Sequence, residues 1–190
     1  MDSRDVGRAL DESLTLLSPL VTRDWSAPAG ELTWTCRQTA EHLAHDLTAY
    51  ATQLAARADE RYLPLDLVVR PGTDARTVLR ITAACARLLR LELDAAGPEA
   101  RAWHWGPTDP TGFAALAVNE ILVHTWDIAQ GLGSSWTPPA NLASAVLRRL
   151  FPAVPHDADP HAGRTLLWAT GRIALPNHPR RDSWVVKATR

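Results

Sequence analysis

Asn119-Glu120-Ile121-Leu122-Val123-His124-Thr125-Trp126-Asp127 places a carboxylate, an imidazole and a second carboxylate at positions i, i+4 and i+7. Asp109-Pro110 ahead of it is a helix start, Asp as the cap and Pro at the first helical position. Gly131 and Gly133 close the same segment. Within such a helix the three polar groups share one face, stacked above one another. Taking ~100° per residue, Phe113, Leu116, Ala117, Val123 and Ile128 lie on or beside that face. The polar trio therefore sits in an apolar stripe. Burying it costs on the order of several kcal/mol unless something compensates. A metal ion is the simplest compensation, and a hydrogen-bonded Glu120–His124 pair is the alternative.

The helix has companions. Val6, Leu10, Leu14, Leu17 and Leu20 recur at helical spacing from about Val6 to Val21. Thr35 stands where an N-cap would, before a helix from about Gln38 to Ala56. Gly72-Thr73-Asp74 starts a long helix that Gly97-Pro98 ends. Between these two, Tyr62 to Pro71 reads as extended chain. A further helix spans about Pro139 to Leu150 and a short one Arg164 to Ala169, with a polar loop from Pro155 to Pro160 between them. The Pro- and Arg-rich tail could end in an extended segment at Trp184-Val185-Val186. Four principal helices with a long connection after the second predict an all-α four-helix bundle over residues 1–150. Residues 151–190 are read as a short extension packed on it, without a domain of their own.

Two ligands rarely hold a catalytic metal, so the bundle should supply a third, most simply another imidazole. Seven histidines are present. In the second helix Ala40, Leu43, Ala44, Leu47, Ala51 and Leu54 define the apolar face. His42 and His45 each lie roughly 150° from its centre, on opposite sides. Helical phase does not choose between them, and it counts against either facing the main core. His104 (between Trp103 and Trp105), His156, His161 and His178 fall in loops.

Composition excludes several classes. A formal net charge of -1 with the signs mixed leaves no footprint for nucleic acid or an acidic membrane surface. No apolar run approaches the ~20 residues of a membrane helix. The N-terminus lacks the pattern of a signal peptide. Cys36 and Cys85, far apart and outside any CxxC spacing, suit a reducing compartment. These features predict a soluble cytoplasmic protein, a monomer or a homodimer. Eight tryptophans beside two tyrosines and two phenylalanines are unusual, and serve either core packing or a pocket wall.

Trp34-Thr35-Cys36-Arg37-Gln38-Thr39-Ala40-Glu41-His42-Leu43 resembles the segment of DinB-like proteins that carries their first metal-binding histidine. Glu120 to Asp127 is similar to the second metal-binding segment of the actinobacterial branch typified by the N-terminal domain of mycothiol-dependent maleylpyruvate isomerase. Leu166-Leu167-Trp168-Ala169-Thr170-Gly171-Arg172 also resembles a segment of these proteins. The resemblance implies a DinB-like four-helix bundle holding a divalent metal, typically Zn2+, through His42, Glu120 and His124. It implies mycothiol as thiol cosubstrate, an electrophilic second substrate, and thiol transfer, addition or thiol-assisted isomerisation. The isomerase carries a further C-terminal domain that completes its active site. Residues 151–190 are too few for one, so maleylpyruvate isomerisation itself is not expected. Asp127 is then a residue orienting His124 or a base. Arg172 can meet a substrate carboxylate or tether the tail. Trp126 and Trp168 line the pocket or pack the core. The other readings are a hydrolase with metal-activated water and a non-catalytic metal- or thiol-binding module.

Overall fold

Each principal helix begins on a side chain that satisfies its orphan N–H groups. In the computed structural model, which describes residues 1–155 and 160–189, α1 (Ser3–Leu17) is capped by Asp2 in a reciprocal box with Asp5. Thr35 and Gln38 form the same box ahead of α2 (Cys36–Ala56). Asp74 accepts from the Thr77 amide at the head of α3 (Ala75–Ala95). Asp109 accepts from Gly112, with Pro110 in the first turn of α4 (Pro110–Gly131). α1 stops earlier than its apolar spacing suggests. Pro19 has no N–H to continue the helix, and Ser18–Leu20 form a single 3-10 turn instead.

α1 and α2 each pack on α3 and α4, which makes the four-helix bundle. A two-residue hairpin, β1 (Ala102–Trp103) and β2 (Pro107–Thr108), leads into α4. Beyond the bundle, α5 (Ala140–Leu150) lies on α4 and α6 (Ala162–Ala169) lies on α5. One apolar core runs from Val6 in α1 through Leu47 and Phe113 to Leu166 in α6.

The apolar stripe expected on α4 is in fact buried on nearly every side, 16 of the 22 residues being buried. The reason is α5, which covers the face that an isolated four-helix bundle would leave in water. The segment 62–71 forms no strand. Buried Gln53 holds it as irregular chain, accepting from the Leu63 amide at 3.0 Å and donating to the carbonyls of Ala58 and Arg61. Residues 184–186 form no strand either. The tail is held by its flanks, through Lys187 N–H to the Leu150 carbonyl and Arg180 to that of Gly171. His156 and most of the polar loop lie outside the described residues. No described helix is long and apolar enough to cross a membrane.

The loop between α1 and α2 rides on the end of α4. A Cβ on Gly131 would collide with the Pro28 carbonyl and the Cys36 sulfur. Glycine there lets the loop close on α4 and lays Trp34 beside the first turns of α2.

Candidate metal centre

The i, i+4, i+7 spacing on α4 does place the three polar groups together. His124 is the middle member. Its Nε2 lies 3.1 Å from Glu120 Oε2, one turn back, and its Nδ1 lies 3.0 Å from Asp127 Oδ2, one turn on. Burial alone would lower the His124 pKa. Hydrogen bonds to Asp127 and Glu120 outweigh it and push the value up to about 9. Burial likewise works to raise Glu120, and the His124 hydrogen bond and charge overcome it, holding the carboxylate below its usual value. Asn119 adds an amide donor to Glu120 Oε1 at 3.3 Å.

From α2, His42 turns its ring edge-on to His124, centroids 5.1 Å apart. Trp34 tilts over its other side at 4.6 Å. Burial, then repulsion from His124, pushes His42 down to about 4, so near neutral pH it is an uncharged imidazole with a free lone pair. His42, Glu120 and His124 each offer one ligand atom, and these atoms lie within 4.8 Å of one another. Ligands bound at about 2.0–2.2 Å sit somewhat over 3 Å apart around a tetrahedral ion. The cluster needs only a modest contraction to reach that spacing, and two imidazoles with one carboxylate suit a divalent transition metal.

The competing histidine has other work. His45 Nδ1 accepts from the Leu67 amide at 3.3 Å and so clamps the 62–71 segment to α2. His104 pairs with the Tyr62 hydroxyl at 3.0 Å, His178 packs on Trp168, and His161 stands at the head of α6. Arg172 forks onto Asp127, Nε to Oδ1 at 3.2 Å and Nη2 to Oδ2 at 2.9 Å. Its Nη1 bonds the Thr170 carbonyl, and its guanidinium lies over Trp184 of the tail. The fork that would meet a substrate carboxylate meets Asp127 here. Trp126 borders a small cleft of about 120 Å³ with Asp127 and Arg172. Trp168 is buried and donates to the Pro179 carbonyl.

Two residues were not singled out from sequence. Asp46 Oδ2 lies 3.3 Å from His42 Nε2, so each imidazole of the triad has its own carboxylate. Burial and the nearby Glu120 push the Asp46 carboxyl up to about 7. Tyr50 follows one turn further, buried, its hydroxyl held well above its usual pKa by burial and by Glu120. The signal was present as the i, i+4, i+8 spacing of His42, Asp46 and Tyr50. A single buried face on α2 does not show it, because α2 packs on both α3 and α4.

The family model of the mycothiol maleylpyruvate isomerase N-terminal domain matches residues 6–129. That span contains most of α1, all of α2 and α3, and α4 as far as Ala129, with every member of the triad. No curated protein and no solved structure matches the chain. With about two thirds of its length matched and the motif segments on facing helices, this chain belongs to the mycothiol maleylpyruvate isomerase N-terminal domain family.

Proposed function

We propose that His42, Glu120 and His124 hold one divalent metal ion, zinc by donor type, and that the centre serves a reaction of a small thiol, mycothiol by family. The observation that carries this is the convergence of three ligand atoms within 4.8 Å, with His124 already oriented from behind by Asp127. Three protein donors are one fewer than a closed four-coordinate site uses, the pattern of a catalytic centre. When bound, such an ion lowers the pKa of a thiol and keeps it a nucleophile near neutral pH.

The protein's own groups do the rest. Asp127 Oδ2 accepts from His124 Nδ1–H, which fixes the tautomer and leaves Nε2 aimed at Glu120. Arg172 forks onto the same carboxylate and fixes its plane. Trp34 shields the outer face of His42. Asp46 Oδ2, beside His42, is placed to accept or return a proton close to neutral pH. Thiol transfer, addition to an electrophile and thiol-assisted isomerisation all use these parts.

Metal analysis of untagged protein purified without chelator should give about one equivalent. His42→Ala should lose it and His45→Ala should keep it. Calorimetry with mycothiol should show binding that disappears in Glu120→Ala. Protein that holds no metal under any loading would sink the reading. Metal without mycothiol binding, together with turnover of an ester or amide panel, would favour a hydrolase instead.

A further inference from the structure

His42, Asp46 and Tyr50 follow one another at four-residue spacing on α2, along its contact with α4. The two helices run in opposite directions there. His42 lies edge-on to His124, and Tyr50 lies edge-on to Phe113, two turns before Glu120. A helical side chain leans toward the N-terminus of its helix, which for Tyr50 is the direction of Asp46 and His42. Its hydroxyl is within electrostatic reach of both Glu120 and Asp46. Tyr50 also lines a cavity of about 350 Å³ that opens under the 62–71 segment and the β1–β2 hairpin.

Tyr50 is only 7 % exposed, and its ring is fixed by edge contacts with His104 and Phe113. Its hydroxyl makes no hydrogen bond to any described residue. Nor is it sealed in protein, as the unpartnered Oδ1 of Asn119 and Nε of Arg90 are. The polar groups beside it on the wall are committed. Gln53 spends its amide on Ala58, Arg61 and Leu63, the Thr52 hydroxyl donates to the Thr48 carbonyl, and the Tyr62 hydroxyl pairs with His104. A buried phenol keeps its proton at neutral pH, so Tyr50 presents an O–H donor that has no acceptor in the protein. Such a donor takes its acceptor from whatever fills the space. Leu63, Leu65 and the rings of Tyr50 and Tyr62 give the wall its apolar area. Apolar walls with one free polar group suit an organic molecule that carries a matching polar atom.

We propose that Tyr50 is a substrate-binding residue, its hydroxyl donating to a carbonyl oxygen of the second substrate seated in this cavity. Donation to that oxygen draws electron density from the carbon framework that a thiol attacks, and it strengthens as the oxygen gains charge. That the carbonyl compound is a reactant rests on the metal–thiol reading, whereas recognition of its oxygen by Tyr50 does not.

The probes are acetophenone, labelled with carbon-13 at its carbonyl, and α-methylstyrene, which has the same shape with a methylene in place of the oxygen. Each is titrated at pH 7 into metal-free full-length protein, and again after zinc loading. The metal-free titration separates Tyr50 from direct coordination of the oxygen by an ion. Tyr50→Phe keeps the ring and its edge contacts and removes the O–H alone. It should weaken acetophenone about 3–10-fold and leave α-methylstyrene as it was. The carbonyl carbon-13 signal of bound acetophenone should lie downfield of its position in Tyr50→Phe, with and without zinc, because a hydrogen bond to the oxygen deshields that carbon. An equal loss for both probes would mean that Tyr50 only shapes the wall. An acetophenone affinity and carbonyl signal unchanged in Tyr50→Phe would mean that the hydroxyl bonds only water. Acetophenone that does not bind up to its solubility would mean that the cavity takes no such ligand. Each of these results would overturn the proposal and leave the metal reading to its own test.

Discussion

Metal affinity should rise tenfold per pH unit from about pH 6 to pH 8 and level off only near pH 9. The controlling group is the proton on His124. In the metal-free protein this imidazole lies between Glu120 and Asp127, and its pKa stands at about 9. At pH 7 it is therefore about 99% protonated, and a ligand nitrogen must lose that proton before it binds a metal. Two pH units below the plateau cost about 100-fold, or about 2.7 kcal/mol. His42, pushed down to about 4, has no proton to lose above about pH 5. Competition against a chelator of known pH dependence, from pH 6 to 9.5, measures the slope. Calorimetry in buffers of different ionisation enthalpy counts the protons, and about one should be released at pH 7. An ordinary histidine would give a plateau already above about pH 7. A flat profile between pH 7.5 and 8.5, or a proton count near zero at pH 7, would show that His124 does not hold its proton in this way. Asp127→Asn removes one of the two carboxylates and should move the plateau to lower pH. It should also cost about 10–100-fold in affinity measured above the plateau.

The same shift makes the metal-free protein less stable in alkali. A histidine with a raised folded pKa contributes stability that is fully present below its unfolded value near 6.5 and lost as pH rises through about 9. Asp46 loses its share between about 4 and 7, and His42 opposes folding only as pH falls from 6.5 toward 4. The melting temperature of the metal-free form should therefore fall from pH 7 to 9 mainly through His124, and saturating zinc should remove most of that slope. Arg172→Met leaves the Asp127 carboxylate, 2 % exposed, with His124 as its remaining cationic partner and two hydrogen bonds lost. It should cost about 1–3 kcal/mol in denaturant unfolding, and adding Asp127→Asn should recover part of that loss; a simple sum of the two single losses would argue against coupling. Gly131→Ala forces a methyl into the Pro28 carbonyl and the Cys36 sulfur, and should cost about 1–3 kcal/mol by the same measurement. An unchanged midpoint would show that the loop does not need that close approach.

Local chemistry made much of the fold legible in the sequence. Thr35, Asp74 and Asp109 cap their helices through hydrogen bonds reaching only three residues along the chain, so they could be read without a neighbour. The pairing of Glu120 with His124 and Asp127 is equally local, a consequence of 3.6 residues per turn. The open questions all depended on which helix lies against which. Phase on α2 alone could not separate His42 from His45, because it assumes one buried face. Two are buried: α4 takes His42 to the triad, and the 62–71 segment takes His45 as a clamp. The link between Arg172 and Asp127 spans 45 residues of chain and exists only because the chain that follows α6 returns to the end of α4. Asp46 and Tyr50 became site residues for the same reason, since the 62–71 segment and the β1–β2 hairpin cover the flank of α2 that carries them. The helices and the polar ladder on α4 are written in the order of the residues. Which side chains complete the centre is settled by packing, because burial belongs to pairs of elements and not to any one of them.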